Sequence, residues 1–150
     1  MHHQFLENLY EKHKVGIFRY ALSIVKSPQL AEDVLQDTFV KLIQQESLPM
    51  EPGKEAAWLY RVARNLCFDI LRRQKKEAEP VEAGYRDQLA FLDLIRPLSD
   101  KEKEIVSLKI LGNLTHKEIA QVMGLTVHGA KKRYERAIGK LRSGMKEDAL

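Results

Sequence analysis

Cysteine is almost absent from this chain of 150 residues, which contains one, Cys67. A single cysteine excludes an intramolecular disulfide scaffold and a cysteine-rich metal site, and it is typical of a reducing compartment. Charged residues interrupt every apolar stretch, so no apolar run in the sequence is as long as a membrane span, which needs about 18 residues. The N-terminus enters a helical pattern directly, without the pattern of a secretory signal. We therefore expect a soluble, cytoplasmic protein that binds no metal.

Signatures of catalysis are also missing. The five histidines form no HExxH pair, and the eight glycines form no phosphate-binding loop. The sequence contains no recognisable catalytic arrangement of serine, histidine and aspartate. Cys67 falls on an apolar helical stripe, where a buried thiol is inert. These absences predict a protein that is not an enzyme, uses no cofactor and has no small-molecule substrate.

The positions of the basic residues are more informative than the formal net charge of +4. Residues 61–76 hold six of the 25 Lys and Arg residues, and residues 131–146 hold seven. Each segment contains one acidic residue, Asp69 or Glu135. Two cationic stripes far apart in sequence indicate a polyanionic partner.

Apolar residues recur at helical spacing along nearly the whole chain, which predicts an all-α fold. We expect two small helical domains, residues 1–76 and 89–150, joined by a short acidic linker over 77–88, where Pro80 and Gly84 interrupt the pattern. The predicted helices cover about 3–26, 28–45, 55–76, 89–95, 100–111, 116–123 and 127–145. Gly16 is a candidate break in the first helix. The third helix carries a predicted buried stripe from Trp58 to Leu71.

Helix starts and stops are marked by residue type. Ser27 precedes a proline and predicts an N-cap, and Ser99 and Thr115 each precede a glutamate by three positions, as in a capping box. Gly124 is placed to end the helix that Thr115 begins, and Thr126 can cap the last helix.

Residues 115–137 have the spacing of a helix-turn-helix. Ala120 supplies the small residue where two helices cross, and Gly124 tolerates the positive φ of a tight turn. The second helix would present a mostly basic face outward, in a form that fits the major groove. This face consists of Lys131, Lys132, Glu135 and Arg136. The alternative is an amphipathic helical hairpin whose basic face is simply solvated.

Three segments resemble the extracytoplasmic-function sigma factors, a family of bacterial transcription initiation factors. Residues 31–39 (AEDVLQDTF) are similar to the family's AED-x-x-Q-[ED]-x-F helix. Residues 57–66 (AWLYRVARNL), followed by Asp69, Arg72 and Arg73, are similar to its WL-[YF]-x-[IV]-A-R-N-x-x-x-D-x-x-R-[RK] helix. Residues 126–137 (TVHGAKKRYERA) resemble its recognition helix.

The resemblance implies that residues 1–76 are sigma region 2, which binds core RNA polymerase and opens the minus-ten promoter element. The polymerase contact, through the β′ clamp helices, would use Asp33, Gln36, Asp37 and Val40. The DNA contact would use Arg61, Arg64, Asn65, Asp69, Arg72 and Arg73. The preceding loop, 47–55, would receive an unstacked base.

The resemblance also implies that residues 89–150 are region 4, which reads the minus-thirty-five element and contacts the polymerase β flap. The DNA-contacting set would be Thr126, Lys131, Lys132, Arg133, Glu135 and Arg136. Gly129 and Ala130 depart from the family's threonine and valine, so promoter preference cannot be transferred. Promoter DNA, core polymerase and an anti-sigma factor are the implied partners.

The residues leave two other classes of function open. A stand-alone helix-turn-helix regulator would bind DNA without polymerase and would use the N-terminal unit to dimerise or to sense a ligand. A nucleic-acid enzyme would need a metal or acid–base cluster, which the sequence lacks.

Overall fold

A computed structural model describes residues 3–74 and 86–149, and within these ranges the regular secondary structure is helical throughout, as predicted. The helices are α1 (His3–Val25), α2 (Pro28–Ile43), α3 (Glu55–Arg73), α4 (Arg86–Leu94), α5 (Asp100–Ile110), α6 (His116–Met123) and α7 (Val127–Ala149). Most of the predicted linker 77–88 lies outside the described residues, as do Lys75 and Lys76, and its last three positions belong to α4. Among the helices that the structure describes, none combines the length and the hydropathy that a membrane span requires.

The predicted caps are confirmed. The Ser27 hydroxyl accepts a hydrogen bond from the Leu30 amide at 3.3 Å, and full capping boxes join Ser99 to Glu102 and Thr115 to Glu118. Each box satisfies amide groups that have no partner inside the helix. These contacts join residues three positions apart, which is why the sequence alone could predict them.

Helices α1, α2 and α3 pack against one another as a bundle. The possible break at Gly16 is absent, because α1 buries Leu9, His13, Ile17 and Tyr20 at helical spacing on both sides of it. That burial outweighs the roughly 1 kcal/mol by which glycine disfavours a helix relative to alanine.

The buried face of α3 differs from the prediction. Leu59, Ala63 and Cys67 are buried as expected, but Trp58 is half-buried and Leu71 is 44% exposed. Tyr60, outside the predicted stripe, is fully buried. Helix α3 packs against α6 as well as against α1 and α2. Its buried surface is therefore wider than the predicted stripe and is centred on a different side of the helix.

The C-terminal helices pack around α7, whose inner face buries Ala130, Ala137 and Leu141. The two predicted units pack against each other through buried side chains. One continuous buried cluster runs from Leu9 in α1 through Tyr60 in α3 to Ala130 in α7. A smaller cluster lies beneath α4, α5 and α7.

Candidate nucleic-acid and polymerase interfaces

Helices α6 and α7 form the predicted helix-turn-helix. Gly124 ends α6 in the left-handed region, at φ 67°, and the Leu125 amide donates to the Ala120 carbonyl at 2.9 Å. The Thr126 hydroxyl accepts from the Gly129 amide at 2.9 Å, so this side chain caps α7. The turn therefore holds α7 in a defined orientation against α6.

The outer face of α7 is basic and exposed. Its exposed side chains include Lys131, Lys132, Arg133, Glu135 and Arg136. The opposite face is anchored by Ala130 and Ala137, which are fully buried. This is the arrangement in which one helix can enter a major groove while its other side stays packed.

Lys140 continues this face but is held by α5. Its ammonium lies 2.8 Å from a Glu102 carboxylate oxygen, and the other oxygen completes the Ser99 capping box. The hydrogen bond from Lys140, followed by that from the Ser99 amide, lowers the pKa of Glu102 to about 2. Glu102 thus joins the start of α5 to α7.

Helix α2 presents the predicted polymerase-binding residues on one exposed face. Asp33, Gln36, Asp37 and Val40 all point away from the bundle core. Val40 is 45% exposed, and Ile43, which the sequence analysis did not include, is 60% exposed one turn further on. Carboxylates beside exposed apolar side chains form a surface suited to a basic partner with an apolar contact at its centre.

Helix α3 divides the predicted DNA-binding residues into two groups. Asn65, Arg72 and Arg73 are exposed, and Arg72 pairs with Asp69. Arg61 is also exposed and Arg64 is half-buried, and both side chains turn toward the C-terminal helices. The six side chains do not form one continuous free surface in this structure.

The partners of Arg61 and Arg64 come from the second half of the chain. Arg61 donates to the backbone carbonyl of Gln121 in α6, and Arg64 forms an ion pair with Glu104 in α5. The Arg64 guanidinium also lies over the Phe68 ring, 4.8 Å from its centroid. Burial opposes the charge of Arg64, but the hydrogen bond and charge of Glu104 outweigh it and raise the Arg64 pKa.

Two tyrosines complete the surface between the halves, and the sequence analysis assigned neither of them a role. Tyr20 donates to Glu104 at 3.1 Å, and Tyr60 donates to the Gly112 carbonyl at 3.5 Å. Burial raises the pKa of both hydroxyls, so they remain neutral donors. The spacing of Tyr60 from Ala56, Ala63 and Cys67 was the signal that could have placed it on a second buried face.

Cys67 lies in the core, as predicted. It is fully buried, and burial raises the pKa of its thiol to about 12. The thiolate needed for nucleophilic attack is therefore disfavoured near neutral pH. Within residues 3–74 and 86–149 no cluster of three or more His, Cys, Asp or Glu side chains is arranged to hold a metal ion.

The loop before α3 is ordered by local contacts. The Gly53 amide donates to Glu55 at 3.2 Å, Lys54 pairs with Glu51 at 3.3 Å, and Met50 packs on the core. Lys54 is the basic side chain that this loop presents beside α3.

Comparison with known proteins matches both halves of the chain. The Sigma-70 region 2 family covers residues 9–77, and the Sigma-70, region 4 family covers residues 88–141. The chain is 29% identical to RNA polymerase sigma factor SigV of Bacillus subtilis, over 92% of this chain and 89% of that protein. It is 27% identical to ECF RNA polymerase sigma factor SigM of the same species, over 81% and 83%.

The fold has a close structural counterpart. The structure of CnrH in complex with the cytosolic domain of CnrY aligns with a TM-score of 0.76 and 25% sequence identity, over 98% of this chain and 91% of that one. With both sigma-70 regions matched and relatives similar over most of their length, the chain belongs to the extracytoplasmic-function family of RNA polymerase sigma factors, which direct transcription initiation.

Proposed function

We propose that residues 1–76 bind core RNA polymerase and open the minus-ten element, and that residues 89–150 read the minus-thirty-five element. The acidic segment 77–88 would connect them. In this proposal the protein acts in the cytoplasm, catalyses no reaction and requires no cofactor. The observation that carries the proposal is the exposed α2 face, because a stand-alone DNA-binding regulator has no need of an acidic and apolar docking surface opposite its core.

The α2 face is the proposed contact for the β′ clamp helices. Asp33 and Asp37 lie one turn apart, so their carboxylates can accept bidentate hydrogen bonds from arginines of a basic helix. Val40 would add apolar contact, and Gln36 a neutral hydrogen bond. Charge complementarity of this kind sets both the orientation and the rate of association.

Promoter contacts are proposed for α3 and α7. On α3, the backbone phosphates would be bound by Arg61, Arg64, Arg72 and Arg73. Asn65 would contact a base edge, and Asp69 would orient Arg72.

On α7, Lys131, Lys132 and Arg136 suit guanine acceptors, and Glu135 can accept from a cytosine amino group. Thr126 and Arg133 would contact phosphates beside the groove, Thr126 while capping the helix. The β flap would bind the same C-terminal unit.

An anti-sigma factor is a further proposed partner. The structural relative CnrH is described in complex with the cytosolic domain of CnrY, and this chain matches nearly all of CnrH in fold. A protein partner of this kind would inhibit initiation by covering polymerase-binding or DNA-binding surfaces.

Reconstituted transcription tests the proposal. Purified protein should bind core polymerase and support run-off transcription from a subset of promoters in a genomic library. Asp37→Arg should weaken polymerase binding at least about tenfold, because it places a positive charge against a basic partner. Glu7→Arg, at an exposed position of α1, is the matched charge control and should bind normally. Tight DNA footprints without polymerase, unaffected by Asp37→Arg, would instead identify a stand-alone regulator.

A further inference from the structure

A cavity of about 710 Å³ opens between α1, α3, α4 and α5. Its volume lies in the range of roughly 300–1,000 Å³ that is typical of small-molecule sites. Of the residues proposed above to contact polymerase or DNA, its described lining includes only Arg64. We call this space the α4 cavity.

Apolar side chains from α1, α3, α4 and the turn after α4 form one part of the lining. They are Ile24, Phe68, Leu71, Leu92 and Ile95. Leu71 is 44% exposed, so a large aliphatic side chain faces solvent here. The Arg64 guanidinium covers one face of the Phe68 ring, and the other four side chains are aliphatic. The lining is therefore better suited to an aliphatic chain than to an aromatic ring that would need to stack.

Two arginines of the lining already have carboxylate partners. Arg64 pairs with Glu104, and Arg96 pairs with Asp93. A guanidinium is the side chain best suited to bind a phosphate through two hydrogen bonds. Because both guanidinium groups are paired, the lining offers little to a phosphate head group.

Three lysines of the lining have no such partner. Lys26, Lys101 and Lys103 form no ion pair within residues 3–74 and 86–149, and Asp100 is the remaining carboxylate of the described lining. Three ammonium groups against one carboxylate make this part of the cavity positive. Aliphatic walls beside unpaired ammonium groups are complementary to an amphipathic anion.

The backbone at Lys26 is an independent sign that this side chain has a use. Lys26 follows α1 with φ 56°, in the left-handed conformation that glycine adopts without steric cost. Its amide donates to the Leu22 carbonyl at 2.9 Å, a contact that glycine would make equally well. What lysine adds at this turn is an ammonium group beside the cavity. Residues held in unfavourable backbone conformations concentrate at binding sites.

We propose that the α4 cavity binds a fatty acid, with its aliphatic chain against Leu71 and the neighbouring aliphatic side chains. The carboxylate would accept hydrogen bonds from the ammonium groups of Lys26, Lys101 and Lys103. This binding is a further activity of the chain and needs neither polymerase nor promoter. It can therefore be measured on the isolated protein, and its failure would leave the proposed role in transcription untouched.

Isothermal titration calorimetry of the full chain with laurate, below the concentration at which laurate forms micelles, tests the site. We expect saturable binding of one laurate per chain. Dodecylammonium has an aliphatic chain of the same length and a cationic head group. It should bind at least about fivefold more weakly, because the lysines repel it.

Two variants test the assigned contacts. Lys26→Gly removes the ammonium group and suits the left-handed backbone, so it should weaken laurate binding about fivefold while the protein remains at least as stable to urea. Leu71→Ala shortens an exposed side chain of the cavity and should also weaken binding about fivefold. Lys12→Gln removes a charge from an exposed position of α1 outside the cavity and should leave the affinity unchanged.

Loss of laurate affinity in Lys26→Gly without loss of stability would separate a binding role from a structural one. Three results would overturn the proposal. These are the absence of saturable laurate binding, equal binding of dodecylammonium, and a laurate affinity that neither Lys26→Gly nor Leu71→Ala reduces in a folded protein. Circular dichroism and urea denaturation establish that each variant is folded.

Discussion

Gly16 in α1 and Gly112 after α5 lie against each other across the interface between the two halves of the protein. A Cβ atom added to Gly16 would lie 3.4 Å from the Gly112 Cα and would overlap the Tyr60 hydroxyl. A Cβ added to Gly112 would lie 2.8 Å from the Leu108 carbonyl oxygen. The close approach of α1 to the loop after α5 and to Tyr60 therefore depends on the absence of a side chain at Gly16, whereas a side chain at Gly112 would collide with the end of α5 and with Tyr60.

Replacing Gly16 by alanine should destabilise the protein. Alanine favours a helix by about 1 kcal/mol relative to glycine, but overpacking against a fully buried tyrosine costs about 1–3 kcal/mol. We expect a net loss of about 1 kcal/mol in the free energy of unfolding, measured by urea denaturation. Gly139→Ala, in an open position of α7, is the control and should gain about 0.5–1 kcal/mol. Equal gains in both variants would show that Tyr60 moves aside without cost.

Replacing Gly124 by alanine should weaken both folding and DNA binding. The left-handed backbone at this position costs a residue with a Cβ about 1–2 kcal/mol, although the space around it is open. Gly124→Asn should cost less, because asparagine tolerates this conformation better. Denaturation and promoter-fragment binding are the measurements, and an asparagine variant less stable than the alanine variant would contradict the conformational explanation.

The ion pair between Glu102 and Lys140 should make stability depend on pH. Because the pKa of Glu102 in the folded protein is about 2, below its ordinary value of 4.5, the charged form stabilises the fold above pH 4.5. This contribution is lost as the pH falls toward 2. Glu102→Gln keeps a side chain able to complete the capping box and removes the charge.

We expect the unmodified protein to exceed Glu102→Gln by up to about 1 kcal/mol in free energy of unfolding at pH 6. The difference should be smaller at pH 3.5. Urea denaturation at the two pH values provides the measurement. A difference that grows on acidification would contradict the stabilising role of the charged Glu102 carboxylate.

Two arginines of α7 should affect DNA binding differently. Arg136→Ala should cost about 1–3 kcal/mol and relax the preference at one base pair, because Arg136 is proposed to read a base edge. Arg133→Ala should weaken binding evenly across sequences and reduce the salt slope by about 1, because Arg133 is proposed to contact phosphate. Binding to a randomised promoter library at several salt concentrations distinguishes these effects. Identical behaviour of the two variants would mean that α7 is rotated from the proposed register.

Local features of the fold were predictable from the sequence because each depends on neighbouring residues. The Ser99 and Thr115 capping boxes and the left-handed Gly124 require contacts within a few positions. The exposed α2 face was also predictable, since it is the side opposite an apolar stripe packed on one bundle. The buried face of α3 was not, because α3 packs against both the bundle and α6.

The amino-acid sequence by itself determined the helices, their caps, the turn at Gly124 and the basic and acidic faces of α7 and α2, since short-range hydrogen bonds and side-chain periodicity specify these features. Only the tertiary structure decided that Arg61 and Arg64 contact Gln121 and Glu104, which lie 60 and 40 positions away. An arginine suits a phosphate and a carboxylate equally well. Its partner is therefore decided by which surface the folded chain brings within reach.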